Sequence, residues 1–117
     1  MALKQGNIFK QIPKDRTDEV FEDIIKTEQV RIERIISEGH YTPEGDWYDQ
    51  TENEWVTVLQ GEGVIEYIDG TTLTLGVGDY VDIPAHVKHR VKSTSTTSIT
   101  VWLAVFYSHN NAVHGVK

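Results

Sequence analysis

The chain has 117 residues, enough for one hydrophobic core and not two, and carries 11 Lys and Arg against 18 Asp and Glu for a net charge of −7. From Ile35 to Val87 there is no Lys or Arg but there are eleven acids, which argues against a phosphate backbone as partner, since that needs basic residues to displace counterions. Cation binding stays open, whereas the lack of cysteine excludes disulfides, thiolate metal sites and thiol nucleophiles and fits a cytoplasmic protein.

The first ordered element is ambiguous. In Thr17–Lys26, Val20, Phe21, Ile24 and Ile25 are spaced like one face of a helix, or like a bulged edge strand. The strand reading is preferred because everything after it reads as β. Val30 to Ile36 is rich in β-branched residues. Trp55 to Gln60 runs into Gly61-Glu62-Gly63. Val64 to Ile68 closes on Asp69-Gly70, a hairpin signal between β-branched runs. Thr71 to Leu75 returns, and Gly76 to Asp79 turns again. Tyr80 to Ile83 leads to Pro84, and Lys88 to Lys92 is followed by a Ser/Thr loop, Ser93 to Ser98. Ile99 to Tyr107 is apolar on both faces and is expected to be buried on both sides. Strands recurring every 8–12 residues or so predict an all-β sandwich or barrel.

No apolar run approaches the roughly 20 residues of a membrane helix, and Met1 to Lys10 lacks the apolar core of a signal peptide. The expectation is a single domain over 1–117, with 1–29 as an N-terminal edge segment and 108–117 as a loose polar tail.

Two segments stand out. One is Trp47-Tyr48-Asp49-Gln50-Thr51-Glu52-Asn53-Glu54, running on to Gly61; the other is Gly78 to His89. Together they resemble the two motifs of the cupin superfamily. The first motif is Gly, five residues, His-x-His, three or four residues, Glu, six residues, Gly. The second is Gly, five residues, Pro-x-Gly, two residues, His, three residues, Asn. Glu54 and Gly61 match the end of the first motif, and Gly78, Pro84 and His89 match the second. The resemblance spans about 30–107 and implies a double-stranded β-helix, or jelly-roll barrel.

The sequence also departs from the family. The His-x-His pair is absent: a four-residue spacing puts its places on Trp47 and Asp49, a three-residue spacing on Tyr48 and Gln50. The first register is preferred, because it offers a carboxylate. His86 stands where the family has Gly, and Ser93 where it has Asn.

On that register the resemblance implies a divalent ion (Zn, Fe, Mn or Ni) held by Asp49, Glu54 and His89. His86 and Glu52 are candidates for a further ligand or an acid/base. Trp47, Tyr48, Gln50, Arg34 and Tyr67 are candidates for the pocket wall. Alternation along the strand turns His89 and Val91 inward and Lys88, Arg90 and Lys92 to solvent. Trp55 and Trp102 are candidate anchors of a core or of a homodimer interface. The implied functions are metal-assisted chemistry on a small organic molecule (dioxygenase, isomerase or lyase) or, in a degenerate barrel, binding of a sugar or organic acid without metal. Neither a nucleic acid nor a membrane is expected as partner.

Overall fold

The computed structural model describes residues 3–108. It consists of eight strands: β1 Val20–Lys26, β2 Val30–Ser37, β3 Asn53–Gln60, β4 Gly63–Tyr67, β5 Thr72–Leu75, β6 Tyr80–Ile83, β7 His89–Thr94 and β8 Thr100–Tyr107. They form a five-stranded antiparallel sheet, β1-β2-β8-β3-β6, and a three-stranded one, β5-β4-β7. Each strand falls within a few residues of its expected run. The expected tail from His109 on lies outside the described residues.

The two sheets close on one core. Ile35, Val56, Val58, Trp102, Ala104 and Phe106 come from the large sheet, and Ile65 and Leu75 from the small one. Gly63 lets them approach: a Cβ there would run into the Trp102 ring, so any side chain would force ring or backbone aside.

The ambiguity at Thr17–Lys26 resolves as the bulged edge strand. Phe21 pairs with Ile35 and Ile25 with Ile32, the register slipping between Asp23 and Ile25. The extra residue shifts the two-residue alternation by one. That slip turns four strand-borne apolar residues into an apparent helical stripe.

The outer face of the large sheet places Arg34, which sits between Ile32 and Ile36 at strand spacing but turns away from the barrel. Its Nε donates to Glu22 Oε1 at 2.8 Å, and its Nη atoms donate to the carbonyls of Ile8, Lys10 and Gln11 at 3.2, 2.6 and 3.2 Å. Arg34 is therefore not a pocket residue. It is a buried clamp that straps the N-terminal segment to the sheet. The physical reason lies in register: Ile35 takes the inward place, so its neighbours must face out.

Candidate functional site

The barrel holds a narrow cavity of about 60 Å³. Its apolar walls include Ile35, Val56, Ile65, Ile83, Trp102 and Phe106, and its polar groups are Glu19, Tyr48, Gln50, Glu54 and His89. Among the described residues no Lys or Arg lines it.

Glu54 opens the inward row of β3 and His89 begins β7, so the two sheets bring them face to face. His89 Nε2 lies 3.3 Å from Glu54 Oε1, and both residues are nearly buried, 4% and 8% exposed. His89 Nδ1 donates to the Val87 carbonyl at 2.8 Å, which leaves Nε2 as the nitrogen facing Glu54. Burial works against a charged imidazole here. The hydrogen bonds to Glu54 and Val87 and the Glu54 charge outweigh it, and the His89 pKa lies above its ordinary value. The inward turn expected of His89 is therefore what the strand does. Arg90, expected in solvent, is buried instead: its Nε bonds Glu66 at 2.7 Å and its Nη1 donates to the Thr42 carbonyl at 3.0 Å.

The register of the first motif is visible in the backbone. The Tyr48 N–H donates to the His89 carbonyl at 2.8 Å, the His89 N–H to the Tyr48 carbonyl at 3.2 Å, and the His86 N–H to the Gln50 carbonyl at 2.8 Å. Segment 48–50 thus runs extended beside the start of β7. Tyr48 and Gln50 reach the cavity, and the intervening Asp49 does not. The three-residue spacing holds, with a phenol and an amide in the two histidine places.

Asp49 instead meets His86 at the mouth, Oδ1 to Nδ1 2.8 Å, with 43% and 65% of the two side chains exposed. His86 adopts φ +67°, a left-handed backbone that glycine, the family's residue at this place, takes without strain. Glu52 also lies elsewhere: it receives Arg31 Nη2 at 2.9 Å, and Arg31 pairs with Glu33 and stacks 4.0 Å above the Phe106 ring. Tyr67 packs against the core, beside the cavity and not in its wall.

The expected metal trio is thus dispersed. Among the described residues no three His, Asp or Glu side chains lie close enough to hold an ion. Glu54 and His89 alone make a two-donor set, with Tyr48 and Gln50 as weak neighbours, short of the three or four protein ligands of usual transition-metal sites.

Glu19, just before β1, stands outside both motifs, and the motifs give no hint of it. It lines the cavity and receives the Ser37 hydroxyl, which in turn accepts Trp102 Nε1–H at 3.1 Å. Burial pushes its pKa up, and the Ser37 bond and the His40 charge offset this only in part. A readable signal exists: if Phe21 faces inward, strand alternation turns Glu19 inward too. Tyr48 shares the cavity wall with the two acids; burial, then the Glu19 charge, push its phenol up, with Glu54 adding to it.

The fold and motif geometry agree with the comparisons. The Cupin domain family model matches residues 35–106. The chain is a cupin. It is similar to a protein of Ralstonia eutropha JMP134 provisionally named a mannose-6-phosphate isomerase, with 39% identity, 92% of this chain and 100% of that one covered, and a TM-score of 0.87. A cupin superfamily protein of Desulfitobacterium hafniense DCB-2 shares 18% identity over 84% of each chain, TM-score 0.69. An RmlC-like cupin of Methanocaldococcus jannaschii with a double-stranded β-helix fold shares 21% identity over 93% of this chain and 99% of that one, TM-score 0.66. The last two bear on the fold alone. No curated protein matches the chain.

Proposed function

We propose that this cupin binds a small, uncharged or cationic organic molecule and moves a proton on it with the Glu54–His89 pair, in chemistry of the isomerase or lyase type. The observation that carries this reading is a carboxylate and an imidazole 3.3 Å apart, nearly buried, at the wall of a cavity that no Lys or Arg lines among the described residues. Low dielectric makes each charge count for more at such a site.

In the proposed step Glu54 takes a proton from the carbon beside a carbonyl, and His89 Nε2–H donates to the carbonyl oxygen as negative charge grows there. On an α-hydroxy carbonyl compound His89 gives that Nε2 proton to the oxygen, forming an enediol; Glu54 then protonates the former carbonyl carbon while His89 Nε2 takes the proton of the adjacent hydroxyl, whose carbon becomes the new carbonyl. The Val87 carbonyl fixes the ring, and Gln50 and Tyr48 supply polar contacts that orient the molecule. The similarity to the Ralstonia protein is compatible with isomerase chemistry. The cavity does not favour that protein's named substrate class, since a phosphate there would meet Glu19 and Glu54 and, among the described residues, no Lys or Arg.

The test is deuterium exchange into neutral aldoses and ketoses, with D-mannose, D-fructose and mannose 6-phosphate as probes in D2O. Exchange with the neutral sugars, reduced about a hundredfold in Glu54→Gln and His89→Asn, supports the reading. Exchange equal in wild type and both variants, or preference for the phosphorylated sugar, contradicts it.

A divalent ion is the second reading. The orientation of His89 favours it: Nδ1 is tied to a carbonyl and Nε2 faces Glu54, the pattern of a ligating histidine with its supporting bond. Elemental analysis of wild type beside His89→Ala and Asp49→Ala decides. Metal that disappears with His89 but persists with Asp49→Ala supports an ion on Glu54 and His89.

We also propose that two copies pair through the outer face of the large sheet. Ile32, Leu103, Val105 and Trp55 share that face by register, and Trp55 packs on the exposed Tyr80 at 5.6 Å between ring centres. A light-scattering mass near the 13.3 kDa of one chain at high concentration contradicts pairing.

A further inference from the structure

Outside the barrel cavity lies a second, wider chamber of about 270 Å³, with Tyr41, Trp47 and Tyr48 as its aromatic walls and Glu19 and Asp46 as its charged groups. Glu19 and Tyr48 belong to both spaces and form their common wall. Among the described residues no Lys, Arg or His lines the chamber.

The charges around it are uneven. Nearly every other partly buried acid in the described residues has a basic partner: Glu22 with Arg34, Glu33 and Glu52 with Arg31, Glu54 with His89, and Glu66 with Arg90. Among those residues Glu19 has only the Ser37 hydroxyl. Its neighbour His40 is turned to other work: Nδ1 accepts the Glu38 N–H at 2.9 Å, and Nε2 donates to the Thr17 carbonyl at 3.0 Å. Arg90 lies 6.0 Å from the centre of the Trp47 ring but spends its charge on Glu66. A half-buried carboxylate without a cation is costly, and here it borders an open space walled by aromatic rings.

We propose that this chamber is a binding site for a small organic cation, an amine or alkylammonium, whose head group lies between the Glu19 carboxylate and the rings of Trp47 and Tyr48, with Asp46 at the rim. Carboxylate and aromatic faces are the two groups that recognise such head groups together. The raised pKa of Glu19 fits this use, since an arriving cation restores the charge that burial disfavours. Cation binding in the outer chamber does not depend on proton transfer or turnover in the barrel.

Isothermal titration at constant ionic strength tests it with tetramethylammonium and n-propylammonium against n-propanol and propionate. Both ammonium probes are expected to bind, with n-propanol about tenfold weaker than n-propylammonium and propionate without detectable heat. Glu19→Gln is expected to cost the ammonium probes about tenfold and to leave n-propanol unchanged. Asp46→Asn, on an exposed loop where folding is not at stake, is expected to cost about threefold. No binding of either ammonium probe, equal affinity for n-propylammonium and n-propanol, or unchanged ammonium affinity in both variants overturns the proposal. The readout is binding and not turnover, so failure here is independent of the exchange assay on Glu54 and His89.

Discussion

Two histidine–carboxylate pairs, whose histidines stand three residues apart along this chain, differ in almost everything except chemistry. His86 and Asp49 meet at 2.8 Å at the mouth with much of both side chains in water. His89 and Glu54 meet at the longer distance of 3.3 Å but are almost wholly buried. Distance alone would rank the mouth pair as stronger. Burial reverses the order, because water screens the mouth pair and leaves the inner one unscreened. A motif supplies residue types, while the fold decides which pair is buried.

The largest expected effect comes from breaking the inner pair. Glu54→Ala strands a buried imidazole and is expected to cost about 3 kcal/mol, read as a lower urea midpoint. A loss no greater than that of Asp49→Ala would erase the contrast between the pairs.

A second, smaller effect is the pH dependence of stability. The His89 pKa is raised on folding, so the folded state holds its proton more tightly than the unfolded chain does. Its stabilising contribution is complete below the unfolded value of about 6.5 and fades as pH rises through the folded value. Urea midpoints measured from about pH 6 to about pH 9 should therefore show a fall that flattens in Glu54→Gln. Glu19 also has a raised pKa, but as a carboxyl group it favours folding in its protonated form. Its penalty grows above the ordinary carboxylate value of about 4.3, so Glu19→Gln is expected to raise the midpoint at neutral pH.

The smallest effects belong to the mouth. Asp49→Asn is expected to cost under about 1 kcal/mol. His86→Gly removes the same pair but also relieves the left-handed backbone at φ +67°, and the two effects should nearly cancel in thermal unfolding. A large loss from either substitution would show that the mouth pair is more than a screened surface contact.

The strands are legible in the sequence because apolar alternation and Gly, Pro and Asp-Gly punctuation act locally, and β2 to β8 follow those signals closely. His89 is legible for the same reason. Parity in irregular backbone is not. Segment 47–50 has no apolar alternation to fix its facing, so the sequence favours a carboxylate at a place where the fold puts Tyr48 and Gln50. The places of Arg34 and Arg90 are hidden because a buried arginine needs distant partners, Glu22 with the N-terminal carbonyls for one and Glu66 for the other, and these come together only in the fold. Glu19 lies beside a segment whose bulge disguises its strand period.

Burial couples His89 to Glu54 inside the barrel, and an NMR titration of the His89 ring nitrogens in wild type and Glu54→Gln tests that coupling most directly. The wild-type pKa is expected above the ordinary histidine value, with Nδ1 keeping its proton, and is expected to shift downward when Glu54 loses its charge. An ordinary His89 titration left unchanged by Glu54→Gln would contradict the coupling.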